Sequence, residues 1–312
     1  MLCVPLRGKV VVNRALAKPA SRPFELPHRT PARSACVVDP FGYGQGIVTW
    51  LPSSLRHHSS RIEMIVTTVE CSGWSDFKNK IIGDLFPLGT FQKGQFLFRG
   101  QGGESWKLAS TFDRWFEDYN GLRANKVAVA ERVLDGFIRE CELEDLPVDV
   151  RNDRLMMLSL GQHNGLPTRL LDWSESPYVA AFFAFSGHIR HGKPIESNVA
   201  IWVLDSTHHI WEDSNGCAIV KVPSFGNERI RNQHGRFTHL KSPARSIEDY
   251  VAQCEGDEWG LKKYLVPVSE SGFAMADLDA MGLSHSRIYP GLQGNAKSAE
   301  VRAILSMYSE RR

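Results

Sequence analysis

Residues Tyr178 to Ser186 read YVAAFFAFS, apolar on every side, and they follow Ser176-Pro177, which pairs a capping hydroxyl with a first-turn proline. A helix without a polar face cannot lie on a surface. It must be central, with other elements packed around it. The runs nearby supply those elements. Val199 to Leu204, Ala218 to Val222 and Tyr264 to Val268 are rich in β-branched or aromatic residues and read as strands, as does Met64 to Val69. Gly94 to Phe98 is a short apolar run that reads as a buried strand delivering Arg99 at its end.

Helical spacing recurs elsewhere. Asn125 to Cys141 places Val127, Ala130, Leu134, Phe137, Ile138 and Cys141 on one face, and Phe77 to Leu85 is more weakly helical. Leu155 to Leu160 ends a helix before Gly161 and Gly165, Phe273 to Met281 is closed by Gly282, and Ala296 to Tyr308 completes the set. Strands and helices do not strictly alternate. The expectation is therefore an α+β fold, a single globular domain with a mixed central sheet, and not a doubly wound one.

The first 62 residues differ from the remainder. Prolines stand at positions 5, 19, 23, 27, 31, 40 and 52, and no helical or strand period is sustained. Two readings stay open for residues 1–63: a disordered extension, or a start placed too early with Met64 as the first residue. Residues 1–62 carry nine basic and two acidic side chains, which leaves 28 basic and 33 acidic for residues 63–312. The body is mildly acidic, which argues against a dominant electrostatic footprint for nucleic acid while leaving room for a local basic patch. The six cysteines are scattered without zinc spacing, so no metal is predicted and a reduced, cytoplasmic protein is the simplest expectation. No stretch approaches the ~18 apolar residues of a spanning helix, and no membrane association is expected.

Two dense polar motifs interrupt the apolar pattern about sixty residues apart: Phe98-Arg99-Gly100-Gln101, and QHNGLPTRLLDW from Gln162 to Trp173. Unpartnered arginines and amides are costly to bury, so such side chains are either satisfied internally or aimed at a ligand. In the first, Arg99 could salt-bridge a carboxylate. The following Gly102-Gly103, Glu104, Trp106 and Lys107 favour an anion pocket, where a planar guanidinium fork meets a phosphate and Trp106 offers a stacking face. In the second, Thr168 and Arg169 sit between a tight turn and a core element, where loops display ligand groups on rigid support. Asp172 is either a structural cap for the central helix or a ligand group, and His163 is a candidate acid or base. A third stretch runs from Asn227 to Phe237 and contains Glu228 and Gln233. It is either a solvated basic loop or a loop packed in place around Phe237.

Together, FRGQ, WKLASTFDR from Trp106 to Arg114, the block from Gln162 to Phe185, RIRNQHGRF, and MGLSHSRIYPGLQG from Met281 to Gly294 resemble the FRG domain family over roughly residues 64–297. That resemblance implies a bacterial-type, cytoplasmic domain, with no chemistry attached. A more distant similarity, in order and local pattern, is to ADP-ribosyltransferases of the arginine-serine-glutamate kind. It implies an ADP-ribosyltransferase-like core that uses NAD as co-substrate, with Arg99 on the dinucleotide phosphates and Gln101, Trp106, Thr168, Arg169 and Asp172 around the ligand. Gln233 or Glu228 would then stand at the reacting sugar, with His163 the candidate acid or base, and a macromolecule could be the acceptor. The family's usual glutamate has no counterpart, since Gln233 occupies its place. The rival is a non-catalytic module that binds a phosphorylated ligand or nucleic acid through Arg99, Lys107, Arg169, Arg229 and Arg231, with Trp106 or Trp173 as a stacking face.

Overall fold

The computed structural model describes residues 65–86, 93–119, 125–189, 196–222, 235–254 and 259–309. The N-terminal segment 1–63 lies outside them, as do Glu228 and Gln233. Seven strands form one sheet: β1 (Ile65–Glu70), β2 (Phe96–Gln101), β3 (Leu170–Ser174), β4 (Asn198–Asp205), β5 (Cys217–Val220), β6 (Gly235–Leu240) and β7 (Trp259–Pro267). Their order across the sheet is β1-β7-β4-β2-β3-β6-β5. The β1–β7 pair is parallel and the other neighbouring pairs are antiparallel, so the fold is α+β with a mixed sheet.

The helices are α1 (Trp74–Leu85), α2 (Thr111–Glu117), α3 (Lys126–Glu140), α4 (Val148–Asn152), α5 (Arg154–His163), α6 (Pro177–Phe185), α7 (Ile247–Val251), α8 (Ser271–Ala280), α9 (His285–Ile288) and α10 (Leu292–Ser309). The central helix expected from YVAAFFAF is α6. Ser176 caps it by accepting from the Val179 amide at 3.4 Å, and Val179, Ala180, Ala181, Phe182, Ala184 and Phe185 are all buried. These side chains join Trp74, Phe77 and Ile81 of α1, and Met275 and Leu278 of α8, against Phe98, Ile201, Val203 and Tyr264 on one face of the sheet. Each large apolar side chain buried there contributes about 1.5–3 kcal/mol.

Alternate residues on the same strands face the other way. Leu97, Trp202, Leu204, Leu171, Trp173 and Leu261 pack with Trp211, Ile247, Tyr250 and Val251 in a second core. A third, smaller core sets Leu134 of α3, Val150 of α4, and Met157 and Leu158 of α5 on Leu170 and Phe237.

Two strands do not appear in the apolar pattern. Strand β3 is the LLDWS segment, in which Asp172 is exposed between buried neighbours, and β6 begins inside the stretch read above as a loop. Gly235 to Phe237 are therefore strand and not loop, with Phe237 buried, and residues 223–234 are not among those described. Arg99 lies within β2 and not at its end, because the strand continues to Gln101.

One seam in the sheet positions the site. Strands β2 and β3 are joined in register only at Phe98 and Ser174, whereas β2 and β4 pair along six residues. Beyond Phe98 the two strands part. Helix α6 runs close beneath the parting: a Cβ on Gly100 would stand 1.8 Å from the Ala180 carbonyl oxygen, so only glycine fits.

Candidate functional site

A cleft of about 1350 Å³ opens at this seam. Strand β2 lines it with Phe98, Arg99, Gly100 and Gln101, and β3 with Asp172, Trp173 and Ser174. Successive strand residues point to opposite faces, so a cleft lined by consecutive residues of both strands reaches both faces of the sheet. Its lining also takes in Trp106, Lys107, Arg114, Glu117 and Arg245. Gln162 and His163 from the end of α5, Phe183 from α6, and Tyr289 complete it.

Arg99 crosses the gap. Its Nη1 donates to the Asp172 carbonyl at 2.7 Å and lies 4.0 Å from the Asp172 carboxylate, while its Nε is buried with no partner among the described residues. Burial pulls the Arg99 pKa down, and Asp172 acts the other way to hold the cation. The guanidinium thus bridges strands that no longer pair and keeps part of its fork uncommitted.

Asp172 is not a helix cap, since Ser176 has that role. Its carboxylate faces the cleft, with 59% of the side chain exposed. Gln162 Nε2 lies 3.1 Å from both carboxylate oxygens, and Thr168 Oγ1 donates to Gln162 Oε1 at 2.7 Å. The Thr168 hydroxyl therefore fixes which end of the amide faces Asp172. Desolvation by the cleft walls pushes the Asp172 carboxyl above the usual carboxylate range, partly opposed by Arg99.

Three residues expected at the ligand have other duties. Arg169 is buried behind Asp113 and does not line the cleft: its Nε and Nη2 meet Asp113 Oδ1 at 3.2 and 3.1 Å, and its Nη1 and Nη2 donate to the carbonyls of Ser242 at 2.6 Å and Ala244 at 2.9 Å. Lys126 joins the same Asp113 oxygen at 2.8 Å, and Ser110 donates to the other at 2.7 Å. Thr168 is likewise internal, and it reaches the cleft only through Gln162. Gln101 lines the cleft, yet its amide is engaged at both ends. It accepts from Trp202 Nε1 at 2.9 Å and donates to the Lys107 carbonyl at 3.0 Å.

Trp173 is also a core residue, buried and donating to Thr238 Oγ1 at 3.0 Å. Trp106, by contrast, is 56% exposed and free to offer its ring face. His163 is exposed on the cleft wall. Arg229 and Arg231, like Glu228 and Gln233, lie outside the described residues.

The sequence reading passed over Arg114, Arg245, Phe183 and Tyr289 as lining residues. Arg114 and Tyr289 fall within the quoted WKLASTFDR and MGLSHSRIYPGLQG blocks, whereas Arg245 carries no local signal.

No curated protein and no solved structure matches the chain. Among the described residues, no helix is long and apolar enough to cross a membrane. The segment from Gly94 on β2's approach through α6 holds Arg99, Trp106, the Asp113 cluster, Gln162 and Asp172 together, and it coincides with a family match. Residues 94–193 match the family model of the FRG domain.

Proposed function

We propose that the cleft binds NAD and that the protein cleaves the bond between nicotinamide and ribose, as a transferase or a glycohydrolase. The observation that carries this reading is the seam. It brings a partly committed arginine and a cleft-facing carboxylate together on rigid strands, with cations, an exposed tryptophan and further aromatic rings lining the same cleft. Arg99 holds the dinucleotide phosphates, and Lys107, Arg114 and Arg245 add to the field that draws an anion in. Trp106 stacks on a base. A cleft of about 1350 Å³ has room for a dinucleotide, since drug-sized ligands occupy about 300–1,000 Å³. The distant ADP-ribosyltransferase resemblance supports the reading, because its arginine coincides with Arg99.

The test is to measure NAD binding by calorimetry and nicotinamide release by chromatography. Arg99→Ala should weaken binding about 10–100-fold, as expected for one charge-assisted contact of roughly 1.5–3 kcal/mol. Trp106→Ala should weaken it by about 1–3 kcal/mol. A wild-type protein that neither binds NAD nor releases nicotinamide refutes the proposal.

The cluster of Arg99, Lys107, Arg114 and Arg245 favours one rival, a module that binds phosphorylated ligands or single-stranded nucleic acid without chemistry. It requires affinity that falls steeply with salt and a ligand recovered unchanged.

A further inference from the structure

Asp172 stands apart from the other acids of the cleft. Asp113 is enclosed by Lys126, Arg169 and Ser110. Glu117 lies 4.0 Å from Arg245 and is 42% exposed, on a short helix, and Asp249 stands on another short helix, Ile247–Val251. Asp172 sits in the middle of a strand, a position that disfavours aspartate, in register with Phe237 on one side and at the parted seam on the other. A two-step chain of hydrogen bonds from Thr168 through Gln162 holds its carboxylate. Thr168 is 2% exposed. Its hydroxyl is committed to Gln162 Oε1 and to the Leu170 amide, so its role is the orientation of Gln162.

We infer that Asp172 is the catalytic carboxylate of this cleft, the group that faces the reacting sugar, and that Gln162 and Thr168 are its positioning residues. The inference rests on the NAD-cleaving reading above and supplies the charge that an amide at position 233 could not. As the glycosidic C–N bond breaks, both its electrons leave with nicotinamide, which becomes neutral, and positive charge develops on the ribose ring. The Asp172 carboxylate lies opposite that charge and stabilises it more in the transition state than in the ground state. Water or an acceptor nucleophile then bonds to the ribose carbon, and its proton passes to Asp172. A carboxyl held above its ordinary range is better suited to receive that proton.

The charged group beside Asp172 is Arg99 on β2, at 4.0 Å, with Arg114 on α2 next to that arginine, and His163 on α5 lines the same cleft. Phe237 and Gly235 on β6 carry no charge. Arg99 favours the carboxylate, and the desolvating walls of the cleft oppose it.

The experiment compares the full-length wild type with Asp172→Asn, Thr168→Val and Thr168→Ser, measuring NAD affinity, kcat, KM and the pH profile of nicotinamide release. Asp172→Asn is nearly isosteric and should keep NAD affinity within about threefold while lowering kcat by about 100-fold or more. Thr168→Val lets the Gln162 amide turn its oxygen toward the carboxylate. It should lower kcat about tenfold with KM unchanged and move the acid limb of the profile, and Thr168→Ser should restore both. In the wild type that limb lies above the ordinary carboxylate range, and in Asp172→Asn it is absent. Turnover by Asp172→Asn at the wild-type rate overturns this inference alone. So does an unmoved acid limb in Thr168→Val. A wild type that binds NAD without releasing nicotinamide overturns this inference and the cleavage reading but leaves binding intact, and a wild type that does not bind NAD overturns both.

Discussion

The buried cluster around Asp113 makes a demanding prediction about stability. One carboxylate, 1% exposed, faces both Lys126 and Arg169, which are 9% and 3% exposed. Its Oδ1 lies 2.8 Å from Lys126 Nζ and 3.1 Å from Arg169 Nη2. Removing the charge with Asp113→Asn leaves two cations in a low-dielectric interior, supported by the carbonyls of Ser242 and Ala244 and, for Lys126, by the Phe116 ring at 5.9 Å. Breaking one side of such a buried pair costs about 3–5 kcal/mol. That is a large share of the ~5–15 kcal/mol that holds a domain together. In urea unfolding, with an m-value of about 3 kcal/mol/M, the midpoint should fall by about 1–1.7 M. Asp153→Asn provides the internal reference. Asp153 caps α5 through the Leu155 and Met156 amides at 2.8 and 3.1 Å on an exposed surface, and asparagine is itself a good cap, so its midpoint should barely move. Two variants with equal midpoints, or an Asp113→Asn shift below about 0.3 M, would show that the cluster does not bind the three segments together as argued.

Two further outcomes follow from single contacts. Gly100→Ala places a methyl 1.8 Å from the Ala180 carbonyl oxygen, so α6 must move away from the seam; overpacking of this kind costs about 1–3 kcal/mol or more. A thermal melt should show a fall of roughly 5–10 °C, and an unchanged melt would mean that the helix does not lie against β2 as described. His239, pushed down to about 4 by burial with Lys241 adding to the effect, is neutral in the folded chain at pH 5. Above its ordinary value near 6.5 both states are neutral and pH has no effect through this residue. Between 6.5 and 4 the unfolded chain binds a proton that the folded chain does not, so stability falls as pH falls. The loss from pH 7 to 5 is about 2 kcal/mol, and urea midpoints of His239→Gln should lack that part of the dependence.

The parts of the fold that follow a simple period were legible. The all-apolar segment before Ser186 is the central helix, the β-branched runs are strands, and Asn125 caps α3 by accepting from the Ala128 amide at 3.2 Å. Strand β3 was not legible, because a strand at a seam breaks alternation: Asp172 faces a cleft where its neighbours face cores. Arg169 misled for a different reason. An arginine beside a turn has the same appearance in sequence whether its partner is a ligand or an aspartate 56 residues earlier, and here it is Asp113. Thr168 was misplaced by one step, since it acts on Asp172 through Gln162 and not on a ligand.

Each of the two dense motifs therefore divides between construction and display. In FRGQ, Phe98 enters the core, Gly100 admits α6, Gln101 ties Trp202 to the Lys107 carbonyl, and only Arg99 is left partly uncommitted. In QHNGLPTRLLDW, Arg169 anchors α2, Thr168 orients Gln162, the leucines fill two cores, and only Asp172 and His163 present a titratable group to the cleft. The constructive residues are what make the displayed ones precise in position. Because β2 and β3 share a single register pair, nothing in the ladder itself sets the width of the gap beyond Phe98. Arg99 on the Asp172 carbonyl sets it from one side, and α6 against Gly100 sets it from the other. A group held this way on two strands and a helix keeps its geometry without a ligand, which is the condition under which a carboxylate can stabilise a developing charge without first reorganising.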